Sequence, residues 1–585
     1  AVGANAPWLG WMALGSTLAF GQPDWWATLL VLGGPALAAW TAFGFLRPVI
    51  GHGWWTPVLA VLWGLQLPLL GATGRGSLDI AVLAIVLPLL GSAVRWWTEA
   101  PSTGAESLRP PAAIALLLGV LVAGMPWAWL VAVGLAAYLF WHRRHLTGAL
   151  LVALGPLVLV APWLPRLVAD PGRLLVGVDP ATRTAGTAPN GFEVLTGGAQ
   201  FPATPVLLGL LGVGLLVVVG VLGGMRATGV PDRVRFPLLG CAVVLPVLAV
   251  LVTRLVVDVA GVGVRPDPTG WLLIGLFALL VLAGEGIGKR PERTVDDSPQ
   301  DLVERAAVIR SRTVLGAIAA VAAAAGAVWW IFGATAPLSR QTEVLPSYVT
   351  GVQQSDRATR TLMVDLWAGT AHFNITAASY PQWGSGEAPL LSTSGQATDD
   401  LWQVAQQFAQ GQPSDDLAQR LASLGIAHVW LRGASTEAVT NLSSAPQLGM
   451  APADEQTVVF TVTTQPSRAM LRAPGSISDE PILESNLPAV ADGMIVLSEP
   501  ADPDWHAEID GVALSATDSG DWRQAWSTDG RGGTLGYRLD ADVLAVGWQA
   551  VALLVLLVLL APTAQRSAGP RRALSTQSGR NRGSR

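Results

Sequence analysis

Residues 544–562, LAVGWQAVALLVLLVLLAP, carry no charge, while the tail behind them holds Arg566, Arg571, Arg572, Arg580, Arg582 and Arg585 and no acid. Nineteen apolar residues are enough to cross a bilayer as a helix. Arginines at one end of such a span hold that end in the cytoplasm, so the other end, and the chain before it, is expected outside. That preceding stretch, 338–543, has 25 Asp/Glu against 10 Arg and no Lys. An acidic, soluble globule is therefore expected on the far side of the membrane, bounded by this span and by another apolar run at 313–333. Its charge argues against a nucleic-acid partner, because a phosphate backbone demands a basic face.

Farther out, the composition agrees. Of 585 residues 51% are hydrophobic and only 13% charged, with mean hydropathy +0.46, against about 25% charged in soluble domains. A soluble enzyme is excluded. Apolar runs recur near 8–22, 25–46, 54–72, 79–94, 111–125, 127–141, 147–165, 204–224, 236–254 and 270–288. With 313–333 they give a region of about eleven spans over 1–335. The first run and the pair around Met125-Pro126-Trp127 are short enough to be re-entrant or broken. Arg143 and Arg144, the trio Arg226, Arg233 and Arg235, and the stretch with Lys289, Arg290, Arg305, Arg310 and Arg312 alternate with the arginine tail as cytoplasmic loops should. Loops 166–203 and 255–269 then fall outside. Lys289 is the only lysine among 36 basic residues, which reflects composition rather than mechanism.

Within the acidic segment, Thr361–Trp367 reads as a strand, Asp399–Gln410 and Asp415–Leu424 as helices with acids near their starts, where the helix dipole favours them, and Ile426–Arg432 as a returning strand. Val458–Val462, Met494–Leu497, His506–Ile509 and Thr534–Leu539 are short and separated by turns. The expected organisation is an α-helical polytopic membrane protein with an extracytoplasmic α/β domain over 338–470, a β-sandwich-like domain over 471–543, a terminal span 544–562 and a basic cytoplasmic tail 563–585.

Catalytic signatures are sparse. No P-loop, G-x-S-x-G or H-E-x-x-H motif occurs, and Cys241, the single cysteine, lies in an apolar run, so no disulfide or metal site is expected. His142 and His145 flank arginines and read as part of a helix end. Gly209, Gly212 and Gly214 read as helix packing. Ionisable groups at a bilayer boundary are costly and so are candidates: Glu285, Arg254 and Asp258, and above all Arg75 in Thr73-Gly74-Arg75-Gly76, a cation among glycines that could hold a lipid phosphate. A hydrated loop arginine is the competing reading. The 25 tryptophans fall mostly at span ends, as interfacial anchors do. Trp505, Trp522 and Trp526 lie in the acidic segment, where a ring either stacks on a sugar or fills a core, the core being the more common use.

Several stretches together resemble the membrane and C-terminal region of large actinobacterial family 2 glycosyltransferases, whose many-span part is similar to the GT-C class. They are Ala6-Pro7-Trp8-Leu9, Gly33-Gly34-Pro35-Ala36-Leu37-Ala38-Ala39, Ala72-Thr73-Gly74-Arg75-Gly76, Val86-Leu87-Pro88-Leu89-Leu90, Ala161-Pro162-Trp163-Leu164-Pro165, and Pro503-Asp504-Trp505-His506-Ala507-Glu508-Ile509-Asp510-Gly511-Val512-Ala513-Leu514. In the last, a tryptophan should enter a sandwich core and Asp510-Gly511 should make a tight hairpin. The resemblance implies an envelope glycosyltransferase acting on lipid-linked sugars, with membrane lipid, a polyprenyl-phosphate sugar and envelope glycan as partners and no cofactor. The family's nucleotide-sugar domain has no counterpart in 1–585 and is expected upstream, so no catalytic residue carries over. Arg75, Arg254 and Asp258 are the lipid-phosphate or sugar candidates, and Trp505 and Trp522 the glycan-stacking ones. The alternative is a non-enzymatic exporter or scaffold for envelope polysaccharide assembly.

Overall fold

A computed structural model describes residues 6–51, 53–99, 105–178, 185–196, 213–214, 216–222, 232–259, 261–288, 316–334, 344–367, 370–379, 395–453, 457–476, 478–489, 493–540 and 543–561. Arg226, Lys289, Arg290, Arg305, Arg310, Arg312, Gly209, Gly212, the tail from 563 and most of the apolar run 204–224 lie outside the described residues.

The fold is a helical, membrane-type bundle with separate β-sheets. Among the described residues, Leu78–Glu99, Val234–Val252, Thr269–Ile287 and Val543–Leu560 are long and apolar enough to cross a membrane. Two further spans arise if bent pairs are counted, Pro23–Leu32 with Gly34–Ile50 (64°) and Leu146–Leu159 with Ala161–Ala169 (61°). The first bend has a local cause: Gly33 ends one helix, and Pro35 sits in the first turn of the next, where its missing N–H costs nothing. Arg109–Gly124 and Ala128–Arg143 are shorter and are separated by the Met125–Trp127 turn.

Hydrophobicity does not drive helices together inside lipid, so close contact must. Glycines supply it here. A Cβ at Gly64 would stand 2.1 Å from the Pro35 carbonyl oxygen, and one at Gly220 would stand 2.7 Å from Leu279 Cβ. The buried indole of Trp63 donates to the Ala84 carbonyl at 3.0 Å, which satisfies the one polar atom of that ring and ties Trp55–Gly64 to Leu78–Glu99.

The bundle has two distinct ends. At one, Arg143 donates to the Trp97 carbonyl (2.8 Å), Arg109 donates to the Leu560 carbonyl (3.2 Å) and stacks over Trp96, and Arg144 stacks over Trp141. Arg143 and Arg109 thereby cap the C-terminal ends of helices, where carbonyls are unsatisfied and the dipole is negative. At the other end, Leu78–Glu99 and Thr269–Gly288 begin, Asp232–Val252 finishes, and the sheets are attached.

A short hairpin, β1 (Val257–Val259) and β2 (Val262–Val264), stands at that second end. Beyond it lies a mixed five-stranded sheet in the order β4-β3-β5-β7-β6, made of β3 (Arg360–Trp367), β4 (Thr370–Thr376), β5 (Ile426–Arg432), β6 (Leu448–Pro452) and β7 (Thr457–Val462). β3 and β5 are parallel, and between them the chain forms β4 and the helices Gln396–Gln410 and Leu417–Ser423. β5 is buried along almost its whole length, as a central strand covered on both faces should be. Two antiparallel sheets follow. One has the order β14-β15-β11-β8-β9, from β8 (Ala469–Arg472), β9 (Asp479–Pro481), β11 (Met494–Pro500), β14 (Ala516–Asp518) and β15 (Arg523–Ser527). The other has the order β10-β16-β12-β13, from β10 (Asn486–Leu487), β12 (Trp505–Ile509), β13 (Val512–Ala513) and β16 (Gly533–Leu539). Their shared core holds Ile495, Leu497, Trp505, Ala507, Ile509 and Trp526. β12 alternates buried and exposed residues along its length, the period-two signature of a strand with one wet face. Asp510 (φ +48°) and Gly511 (φ +78°) close its hairpin, the two positive-φ residues that a tight primed turn requires. β8 crosses residue 470, so the division expected there falls inside a strand of the second pair of sheets.

Candidate functional site at the bundle mouth

Three arginines organise the layer between bundle and sheets. Arg75, in the turn that precedes Leu78–Glu99, donates through Nη2 to Asp267 (3.3 Å) and Thr269 Oγ1 (3.2 Å) and through Nε to Ser77 Oγ (3.4 Å). Its side chain is only 10% exposed and that of Asp267 36%. Asp267 also accepts from the Thr269 N–H (2.9 Å) and hydroxyl (2.6 Å), capping the helix that starts there. Arg173 pairs with Asp170 at 3.0 Å and reaches the Val178 carbonyl. Arg265 donates twice to Gly186 O and once to Thr253 O, tying the end of Asp232–Val252 to the hairpin strand. Arg166 shares the layer with Arg173 and with Asp502 from the loop after β11.

Apolar contacts fix this layer to the mixed sheet. Val259, Val262 and Val264 of the hairpin belong to the same buried core as Leu362, Val364, Trp402 and Phe460, with Val176 packed against it. Gly261 comes so near the Asp399 carboxylate that a Cβ would sit 2.7 Å from it. Loop segments 173–178 and 257–264 and the mixed sheet therefore occupy the same end of the bundle, opposite Arg143 and Arg144.

The candidate residues separate clearly. Arg75 is held in an ion pair rather than free among glycines, because its partner Asp267 is supplied from 192 positions away. Arg254, at the end of Asp232–Val252, is exposed among exposed Leu251, Leu255 and Val256, and among the described residues its guanidinium has no ion-pair or hydrogen-bond partner. Asp258 is exposed and accepts from the Gly261 N–H at 2.9 Å, shaping the hairpin turn. Glu285 lies at the arginine end, one residue from Gly284, which packs on Leu46 and Val49. Trp505 requires a correction: its ring is 6% exposed inside the sandwich core, so no face is open for stacking on a sugar. Trp522 is half-buried and packs against the core of the mixed sheet, bridging the two sheet units; Trp526 is a core residue at 1% exposure. His145 caps Leu146–Leu159 by accepting from the Gly148 N–H at 3.0 Å, and His142 stacks on Tyr138. Among the described residues no cluster of His, Cys, Asp and Glu could hold a metal.

The sequence reading missed Asp267, Arg173 and Arg265. Asp267 carried one local signal, the Asp-Pro-Thr-Gly stretch 267–270 ahead of an apolar run, which is a helix-start pattern. Nothing local joined it to Arg75.

No protein-family model matches the chain, and no curated protein does. Among solved structures, the chain is similar to the cryo-EM structure of arabinofuranosyltransferase AftD from Mycobacteria, at 15% identity and a TM-score of 0.44, covering 76% of this chain and 34% of that one. It is also similar to the crystal structure of ArnT from Cupriavidus metallidurans in the apo state, at 14% identity and a TM-score of 0.40, covering 78% of this chain and 87% of that one. The chain thus spans 34% of the length of the arabinofuranosyltransferase. At these identities and scores the likeness carries no chemistry over to this chain.

Proposed function

We propose that this chain is the membrane and C-terminal portion of a bacterial cell-envelope glycosyltransferase that works on a lipid-linked sugar, with the sheet-bearing face outside the cytoplasm. The observation that supports this reading is the loop layer. A bundle with lipid-exposed helices ends in turns threaded by arginines, and those turns share a hydrophobic core with a hydrophilic, acidic sheet region. A carrier with its prenyl chain in the bilayer would meet a water-borne glycan acceptor at this level and no other. Arg254 suits the carrier phosphate: it is a cation at the lipid boundary, flanked by apolar side chains that can contact prenyl groups while the guanidinium reaches the headgroup.

The test is sugar transfer by the full-length polypeptide in nanodiscs, from radiolabelled polyprenyl-phosphate sugars to an envelope lipoglycan. Transfer supports the reading. Movement of envelope glycan across vesicles without transfer would replace it with an exporter, and capture of glycan with neither flux nor transfer would replace it with a scaffold.

A further inference from the structure

The arginine end of the bundle holds more cation than its own carbonyls and carboxylates use. Among the described residues neither Arg109 nor Arg144 pairs with a carboxylate, and Glu99 at the same end is engaged by Arg95 at 2.9 Å. Arg109 gives its Nε to the Leu560 carbonyl, and the Arg144 side chain makes no hydrogen bond among the described residues. Both guanidiniums lie over indoles instead, Arg109 5.5 Å from the Trp96 ring centroid and Arg144 5.2 Å from that of Trp141. Those rings are 39% and 74% exposed. Stacking occupies the face of a guanidinium and leaves its in-plane N–H donors for another acceptor.

Contacts bring the two cations to one place. Arg143, next to Arg144, donates to the Trp97 carbonyl while Arg109 covers Trp96, so both sides grip one indole doublet at the end of Leu78–Glu99. A Cβ at Gly148 would stand 2.8 Å from Trp97 and 3.0 Å from Pro111, which closes the start of Leu146–Leu159 onto that of Arg109–Gly124. Arg144 ends Ala128–Arg143 at φ +55°, a conformation that glycine would adopt without strain. Directly after it an apolar stripe begins: Leu146, Leu150 and Leu154 share one helix face by their spacing and are 57%, 47% and 49% exposed.

Unspent donors at the level of exposed tryptophans, beside a row of exposed leucines, call for a ligand whose oxygens only accept and are joined to hydrocarbon. A phosphodiester on acyl chains has that chemistry. A zwitterionic headgroup would bring a cation of its own against two arginines; an anionic one would not. We propose that Arg109 and Arg144, laid on Trp96 and Trp141, bind the phosphate of an anionic phospholipid whose chains run along the Leu146, Leu150 and Leu154 face. This site lies at the opposite end of the bundle from the sheets and does not depend on the glycosyltransferase reading.

Native mass spectrometry of the full chain, delipidated in detergent, measures binding of phosphatidylglycerol and phosphatidylcholine with identical chains. Each surface arginine is worth about fivefold, so phosphatidylglycerol should bind at least about tenfold more tightly. Arg109→Gln and Arg144→Gln should each cut that preference about fivefold and leave phosphatidylcholine binding unchanged, while Arg144→Lys should keep most of it. Arg144→Gln keeps the test readable if loss of the Leu560 bond unfolds Arg109→Gln. Arg538→Gln, which removes a 68% exposed cation from the sheet region, should change nothing, and glycerol 3-phosphate should not compete. The proposal is overturned by equal affinity for the two lipids, by a preference that survives both glutamine substitutions, or by an equal fall in Arg538→Gln, which would make net charge the cause. Displacement by glycerol 3-phosphate would also overturn it, assigning these arginines to a soluble phosphate ester.

Discussion

The bundle and the sheet region handle charge in opposite ways. In the bundle, arginines stay at the ends: Arg109 and Arg143 cap helix carbonyls at one end, and Arg75, Arg173 and Arg265 tie loops at the other. Between the two sheet units, charge lies in the interior. Arg360 of β3 and Arg468 both pair with Glu499 of β11; Arg360 and Glu499 are fully buried, and Arg360 also donates to the Leu424 and Ser498 carbonyls at 2.9 Å. The contrast follows from the solvent each region meets. A helix in lipid has no water to share with an interior ion, whereas a joint between two sheet units can bury a cluster once, provided that every member keeps a partner. The sheet region should therefore fail through loss of a charge partner, and the bundle through loss of close packing.

The largest effect should come from Glu499→Ala, which strands two arginines in a buried joint and should cost about 3–5 kcal/mol. Calorimetry should show the sheet transition moving down while the bundle transition stays in place; joint loss of both would erase the contrast. Acid should act next. His428 is 3% exposed on β5, and its pKa is held down at about 4 by burial first and by nearby Arg357 second. The unfolded chain therefore binds a proton that the folded chain refuses between pH 6.5 and about 4, so stability is full above 6.5 and falls as pH drops through that window, by at most about 3 kcal/mol. Chemical unfolding across this range should flatten in His428→Gln; an unaltered slope would assign the acid sensitivity elsewhere.

In the bundle, Gly64→Ala pushes a methyl group into the Pro35 carbonyl and should cost about 1–3 kcal/mol, lowering the bundle transition alone. A variant as stable as the parent would show that helix contact at Gly64 is not what holds this end. The smallest change should follow from Ser435→Ala, which removes the hydroxyl that accepts from the Ala438 N–H at 3.2 Å at the start of Thr436–Ser443. About 1 kcal/mol is expected from urea unfolding of the sheet region.

What the sequence made legible depended on whether the signal was local. Ile426–Arg432 is a strand over the same residues expected from its pattern, and the Asp510-Gly511 hairpin forms where its turn chemistry pointed. In both, the residues that carry the signal, a short apolar run in one and turn residues in the other, lie within a few positions of one another. The run 25–46 looked like one span because hydropathy is blind to direction, yet the Gly33-Gly34-Pro35 stretch inside it was a stop and start signal, and the chain bends there by 64°. The site was less legible. Arg75 was recognisable as a cation at a lipid boundary, but its ion pair depends on Asp267 nearly two hundred residues later, and only the folded chain brings the two together. Trp505 and Trp522 had the same composition around them; burial in different cores separates them.

The central claim is that the loop layer and sheets face outward while Arg143 and Arg144 face the cytoplasm. Its most direct test uses a Cys241→Ser background carrying either Asp529→Cys, on an exposed sandwich turn, or Arg144→Cys, at the opposite end of the bundle. A membrane-impermeant maleimide should label the Asp529→Cys protein in intact cells and the Arg144→Cys protein only after permeabilisation. Labelling of Arg144→Cys in intact cells with Asp529→Cys protected would contradict the account.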